Sequence, residues 1–174
     1  MTEATMGTGA GREGARSIVA TGLRNAHALE KQAIQLIERQ LPRLDDYPEV
    51  QARMRQHLQE TRAQEERLDR MLDRLGNDRS VVKDMALEFM GNMAAMAHMP
   101  ADDEILKNSF ANLAFESYEI AAYTSLLAMA EEAGMGEFRP MLEATLQEEH
   151  AMADWIETGL PAVTKRFLSL AGRA

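Results

Sequence analysis

Glutamates occur on the apolar stripes of long predicted helices, at positions where a helical bundle normally carries leucine. Glu30, Glu60, Glu116, Glu119 and Glu149 each fall on such a stripe or at its edge. Burying an unpaired carboxylate costs several kcal/mol or forces it to stay protonated. Several carboxylates at a similar depth therefore indicate a shared counter-charge, and a pair of divalent metal ions is the simplest one. The alternative is that these glutamates are ordinary surface residues.

The composition favours an all-α protein. The chain has 174 residues, is rich in Ala, Leu, Met, Glu, Gln and Arg, and has five prolines, all but Pro140 at apparent helix boundaries. It has no cysteine, which excludes disulfide scaffolds, thiolate metal sites and iron–sulfur clusters. The formal net charge of −9 argues against nucleic acid and anionic membrane surfaces as partners. No apolar run approaches the roughly 18 residues of a membrane span.

The N-terminal segment does not resemble a secretory signal, because it is rich in Gly, Thr and Glu and lacks an apolar core. We therefore expect a disordered arm over residues 1–14, a helical bundle domain over residues 15–174, and a cytoplasmic protein.

Apolar residues at helical spacing predict four long helices, over about residues 15–40, 48–75, 102–133 and 137–159. Gly76 and Gly134 are expected to stop the second and third of these helices. A shorter, methionine-rich helix over residues 81–97 would cross from the first helical hairpin to the second, its methionines serving packing. Residues 162–170 follow as a short tail that could add a last turn or helix. This order predicts an antiparallel four-helix bundle with a crossover helix between its two hairpins.

The third long helix carries the clearest signal of a buried site. Glu116 and Glu119 are one turn apart, so both can reach one metal centre. A paired surface position is disfavoured, because no Lys or Arg occurs between Asn112 and Glu131. On the first and fourth helices, Glu30 and Glu149 lie in the middle of apolar stripes.

The second helix and the flank of the fourth leave alternatives open. Glu60 lies on a more polar face, where a solvated position remains a real alternative. Glu148 competes with Glu149 for the inward position. His57, Gln64 and His27 could each ligate metal or support a ligand, although a lone helical histidine is more often at the surface.

Bundle proteins with two metal ions commonly use one Glu from each of two helices and Glu-x-x-His from the other two. The chain departs from that pattern, because Ala63 follows Glu60 by three positions and Met152 follows Glu149 by three. Carboxylates remain suited to iron, manganese or magnesium, and they can bridge two ions.

Four segments resemble the bacterial YciF/YciE (DUF892) family of ferritin-like stress proteins: residues 30–32 (EKQ), 57–61 (HLQET), 116–123 (ESYEIAAY) and 145–149 (TLQEE). Ser117 and Ala153 replace a histidine and an aspartate of the family pattern. The resemblance implies a ferritin-like bundle, a homodimer, a di-iron site and a link to stress.

The leading functional hypothesis is a dinuclear metal protein with two iron ions per chain, manganese being possible in their place. It would reduce peroxide or dioxygen or handle iron, and no pocket for an organic substrate is evident. Whether it is an enzyme stays open. The alternative is a non-enzymatic, dimeric stress protein that acts by association. A storage cage is less favoured, because the resemblance is to a dimeric family.

Overall fold

The computed structural model describes residues 7–76 and 103–172, and within them the chain is helical without strands. The four long helices are α1 (Gly7–Gln40), α2 (Pro48–Arg74), α3 (Glu104–Glu132) and α4 (Arg139–Ala171). Short 3-10 turns, Leu41–Arg43 and Gly136–Phe138, lie in the two hairpin links. The all-α bundle expected from the sequence is confirmed. The predicted crossover helix over residues 81–97 lies outside the described residues.

The helices form two antiparallel hairpins, α1 with α2 and α3 with α4, which pack against each other. Helix α1 runs antiparallel to α3. The side-chain amides of Gln40 and Asn112 bond to each other at 2.9 and 3.0 Å near one end, while Tyr123 reaches Glu30 further along. Helix α2 packs against α4, so that all four helices surround one interior.

Three apolar clusters lie in the bundle: a small one, Leu29, Ala33 and Phe115, packs α1 against α3, and the other two fill the interior, one towards each end. One of these two contains Val19, Leu23, Leu72, Phe138 and Leu142 among its fully buried members. The other is built around Ile37, Leu44, Met54, Leu58, Met152 and Ile156. A layer of buried polar side chains lies between these two clusters, and this layer is the site described below.

Glycines end α2 and α3 as the sequence predicts. Gly76 and Gly134 have φ of +63° and +72°, in the left-handed region that a residue with a Cβ adopts only at a cost. In this conformation the chain can leave the helix and turn, which is the usual role of glycine just after a helix end.

Two helix ends differ from the prediction. Helix α1 begins at Gly7, so residues 7–14 of the predicted disordered arm are helical; extending a formed helix is far cheaper than nucleating one. Helix α4 continues through Pro161 to Ala171 instead of stopping near residue 159. Proline removes the hydrogen bond to the carbonyl four residues earlier, but Glu157 is exposed, so water can satisfy that carbonyl.

In the part of the chain that the structure describes, no helix combines the length and apolarity needed to cross a membrane.

Candidate metal centre

Four of the five predicted glutamates meet in the polar layer. Glu30, Glu116, Glu119 and Glu149 are 0, 4, 1 and 0% exposed. They come from α1, α3 and α4, and each follows the helical spacing that places it on an inward stripe. The structure therefore places these four side chains inward, as the sequence predicts.

Helix α2 contributes His57 to the layer. Its Nε2 lies 3.3 Å from Oε2 of Glu116 and 3.9 Å from Oε2 of Glu149. Donor atoms of these three buried residues all lie within 4.8 Å of one another, a spacing that one metal ion can span. Thr61 and Gln64, one and two turns further along α2, are also buried.

The structure does not bring Glu60 into this cluster. Its side chain is 21% exposed and bonds to Arg53 at 3.0 Å, Gln56 at 2.8 Å and Nδ1 of His57 at 3.1 Å. The hydrogen bond from His57, together with those from Gln56 and Arg53, lowers the pKa of Glu60 to about 2. Glu60 is thus an ionised group behind His57, on the side away from Glu116.

The choice between Glu148 and Glu149 on α4 is clear in the structure. Glu149 is fully buried in the layer, whereas the Glu148 side chain is 28% exposed and pairs with Arg67. Gln64 bridges the two, since its Nε2 donates to Oε2 of Glu148 at 3.0 Å and to Oε1 of Glu149. Arg67 also donates from Nε to the buried Oγ1 of Thr145 at 3.1 Å.

Tyr123 completes the layer on the side of α1. Its ring is 1% exposed and its hydroxyl donates to Oε1 of Glu30. Burial and the neighbouring Glu30 carboxylate raise the pKa of Tyr123 well above its usual value, so the hydroxyl keeps its proton.

Burial dominates the electrostatics of the carboxylates. It raises the pKa of Glu30 to about 8, although the hydrogen bond from Tyr123 and the charge of His57 act against this rise. The pKa values of Glu119 and Glu149 are also raised well above the usual range, first by burial and then by the neighbouring carboxylates. The metal-free layer therefore retains protons at neutral pH.

The pKa of His57 moves in the direction that favours its charged form. Burial alone would lower it, but hydrogen bonds to Glu116 and Glu60 outweigh burial and raise the pKa to about 9. A protonated imidazole consequently supplies one positive charge among the carboxylates.

The donor set fits a pair of divalent cations. Among the residues that the structure describes, one buried oxygen of each of three glutamates accepts no hydrogen bond: Oε2 of Glu30, Oε1 of Glu119 and Oε2 of Glu149. Orphaned carboxylate oxygens at full burial are costly unless a cation binds them. Ionised together, the four buried glutamates carry a charge of −4, which two divalent ions would neutralise.

Two other histidines lie outside the layer, and His27 is the one of them that the sequence offered as a candidate. Nε2 of His27 is 3.1 Å from Asp69 and 3.6 Å from Glu65, on the α1–α2 surface. His150 is exposed. Sequence reasoning missed Arg67 and Thr145, although Arg67 follows Gln64 by one turn and so shares its face.

Four long antiparallel helices around a buried carboxylate layer define the chain as a ferritin-like bundle protein. Residues 15–169 match the model of a family described as a domain of unknown function, DUF892, and the chain belongs to this family. The resemblance drawn from the sequence segments is confirmed.

Solved structures agree with this assignment. A protein from Xanthomonas campestris pv. campestris is 30% identical over 91% of this chain and 98% of its own, with a TM-score of 0.77. The Escherichia coli stress protein YciF is 23% identical over 83% of this chain and 92% of its own, with a TM-score of 0.69.

A third solved structure with the same fold contains a diiron site. Desulfovibrio desulfuricans bacterioferritin, a protein with a diiron site, is 21% identical over 88% of this chain and 84% of its own, with a TM-score of 0.71. At this identity, as for YciF, the likeness establishes the shared fold.

Proposed function

We propose that the chain is a cytoplasmic ferritin-like protein that holds two divalent metal ions in its carboxylate layer, most naturally iron, with manganese as the alternative. The observation that carries this proposal is the set of four buried glutamates, three of which have an oxygen that accepts no hydrogen bond. Without metal the layer must hold protons to limit the repulsion among them, whereas two divalent ions would balance all four charges. The diiron site of the distant bacterioferritin relative supports iron as the metal.

The ligand set we propose is Glu30, Glu116, Glu119 and Glu149 with His57. Carboxylate oxygens with one imidazole nitrogen suit iron and manganese. Glu60, predicted from the sequence as a ligand, takes a supporting role in this proposal. Its hydrogen bond to Nδ1 of His57 would leave Nε2 free for metal, the usual arrangement of a carboxylate behind a ligating histidine.

A bound pair of ferrous ions would supply electrons for the reduction of peroxide or dioxygen. The residues of the chain provide the surroundings for this chemistry. The apolar clusters above and below the layer exclude bulk water, and Tyr123 fixes one oxygen of Glu30 so that the other remains free.

Elemental analysis tests the proposal. The chain is purified without chelator, loaded anaerobically with ferrous ion, and compared with the Glu116→Gln/Glu119→Gln double variant. We expect about two metal ions per wild-type chain, as in other di-metal bundles, and a loss of most of them in the variant. The control is Glu38→Gln/Glu143→Gln, which removes two exposed, ion-paired glutamates and should bind metal as the wild type does. Wild-type protein without metal would refute the proposal.

A second candidate function, association with another copy of the chain, is favoured by the outer face of α3. Between Asn108 and Ala130, a stretch that the structure describes in full, the charged residues are Glu116 and Glu119, and both are buried. The outer face instead exposes Phe110 (51%) and Tyr118 (40%). The exposed alanines of this face are Ala114, Ala121 and Ala128.

An uncharged face suits a homodimer, because copies of a chain with a net charge of −9 repel each other less there than elsewhere. Sedimentation of the wild type and of Ala121→Arg tests this. We expect a dimer that the substitution converts to monomer, without loss of metal. A wild-type monomer at micromolar concentration would exclude the association role.

A further inference from the structure

Gln64, Glu148 and Arg67 form a chain of hydrogen bonds from the surface of the bundle to Glu149. Arg67 is 14% exposed and donates to Oε2 of Glu148. The same oxygen accepts a hydrogen bond from Nε2 of Gln64 at 3.0 Å, and Nε2 also donates to Oε1 of Glu149. This series of hydrogen bonds therefore connects the partly exposed Arg67 guanidinium group to the fully buried carboxyl group of Glu149.

The two carboxylates lock the orientation of the Gln64 amide. Oxygens of both side chains accept hydrogen bonds from Nε2, so the NH₂ end of the amide faces Glu148 and Glu149. Rotating the amide by 180° would place its carbonyl oxygen against both. Arg67 holds Glu148 in place by donating to the same oxygen that accepts from Gln64.

This orientation determines which oxygen of Glu149 is free. Oε1 is taken by Gln64, whereas Oε2 accepts no hydrogen bond and lies 3.9 Å from Nε2 of His57. The free oxygen is thus the one that faces the histidine and Glu116, where the donor atoms converge.

We propose that Gln64, Glu148 and Arg67 are positioning residues that hold Glu149 in its metal-binding orientation. The inference rests on the proposed function, since it assigns these residues a role towards the same metal centre. Glu148 acts through Gln64 and binds no metal itself. Of these three side chains, only that of Gln64 forms a hydrogen bond with Glu149.

The first test uses metal-free protein and the side-chain NH₂ signals of Gln64 in a ¹H–¹⁵N NMR spectrum. A charge-assisted hydrogen bond shifts such signals and slows their exchange. We expect both effects in the wild type and, in Glu148→Gln, their loss for the proton that faces Glu148, whereas the proton that faces Glu149 keeps its hydrogen bond. Exchange of the Gln64 NH₂ protons that is equally fast in the two proteins would overturn the proposal.

The second test measures the affinity for Mn²⁺ from the electron paramagnetic resonance signal of the free ion. Loss of a residue that orients a metal ligand typically weakens binding by about 10- to 100-fold. We expect a loss of this size in Gln64→Leu and Glu148→Gln. Arg67→Lys should lose less, since lysine keeps the charge beside Glu148 but lacks the fork that also reaches Thr145.

The matched control is Gln40→Leu, which removes a buried glutamine of α1 that bonds to Asn112 outside the layer. A merely structural role would lower the melting temperature in Gln40→Leu and Gln64→Leu alike and leave the Mn²⁺ affinity unchanged in both. Wild-type protein that binds no metal would refute the proposed function. Wild-type protein that binds metal, with unchanged affinity in the Gln64 and Glu148 variants, would overturn the positioning role alone.

Discussion

Glu119 lies in the middle of α3 with two like charges for neighbours. It is 1% exposed, and burial followed by the carboxylates of Glu30 and Glu116 raises its pKa well above the ordinary value. A hydrogen bond with Glu149 offsets part of this effect. In metal-free protein Glu119 consequently lowers the stability of the fold. Its proposed role as a metal ligand would explain why a glutamate occupies this position.

Replacing Glu119 with glutamine should therefore stabilise the metal-free protein. The amide keeps the shape and needs no proton, whereas the buried carboxyl group must take up a proton when the chain folds; avoiding this cost is worth about 1–3 kcal/mol. Urea denaturation at pH 7.5 with chelator measures the change. Glu38→Gln, an exposed residue paired with Arg62, should alter stability by less than about 0.5 kcal/mol. A less stable Glu119→Gln protein would contradict the electrostatic account.

The choice between His57 and Glu60 on α2 shows the limit of periodicity: the sequence favoured Glu60 as the inward residue, whereas the structure places His57 in the layer. His57 and Glu60 are three positions apart, which separates their directions around the helix axis by only about 60°. The buried stripe of α2 passes through His57, Thr61 and Gln64 before it reaches Leu68. These three polar members made the stripe hard to recognise, although Leu58 beside them is apolar and buried, so the pattern could not show which of the two residues points inward. On the other three helices, apolar neighbours on both sides made the inward glutamates predictable.

At the scale of the helices, two glycines in the left-handed backbone conformation determine where α2 and α3 end. A Cβ on Gly134 would meet no atom within 4 Å, so the positive φ alone opposes substitution. Gly159 provides the matched case, because it lies inside α4 with equally open surroundings and no positive φ.

We expect Gly134→Ala to destabilise the protein by about 1 kcal/mol through backbone strain. Gly159→Ala should stabilise it by about 0.5–1 kcal/mol, because alanine loses less conformational freedom in a helix. Thermal unfolding of the two variants checks this, with midpoints that move in opposite directions by roughly 2–4 °C per kcal/mol. Equal shifts in the same direction would show that φ does not control the α3 end.

Helix identity and order were predictable because long stripes and terminal glycines leave little choice. The end of α4 was not predictable. A proline can remain inside a helix where the carbonyl group that loses its hydrogen bond has another partner. Around Pro161 that carbonyl is beside exposed residues, a property of the folded surface that the local sequence does not record.

For the whole molecule, the buried layer makes stability depend on pH. The folded state raises the pKa of Glu30 from 4.5 to about 8 and that of His57 from 6.5 to about 9. Folded protein therefore binds more protons than unfolded protein between these values, and its stability falls as the pH rises through them. Glu60 acts oppositely, but only below its ordinary pKa of 4.5.

Metal-free protein should accordingly be less stable at pH 8.5 than at pH 5.5, by roughly 10 °C in the thermal midpoint if a few kcal/mol are lost. Bound metal replaces the protons, so the metal-loaded protein should lose little over the same range. Thermal unfolding with chelator and with Mn²⁺ measures both. Glu119→Gln serves as the control and should flatten the metal-free profile. Metal-free stability that rises with pH would contradict the raised pKa values.

The layer is assembled from both hairpins, and this has a consequence for folding kinetics. Each hairpin is closed by a short link and forms through local contacts, which are made early. Glu30 and His57 then meet Glu116, Glu119 and Glu149 only when the hairpins dock. Repulsion among Glu116, Glu119 and Glu149 arises already within the α3–α4 hairpin, whereas the repulsion that Glu30 adds belongs to the docking step and raises its barrier. Divalent cations should therefore speed the completion of the fold as well as stabilise it.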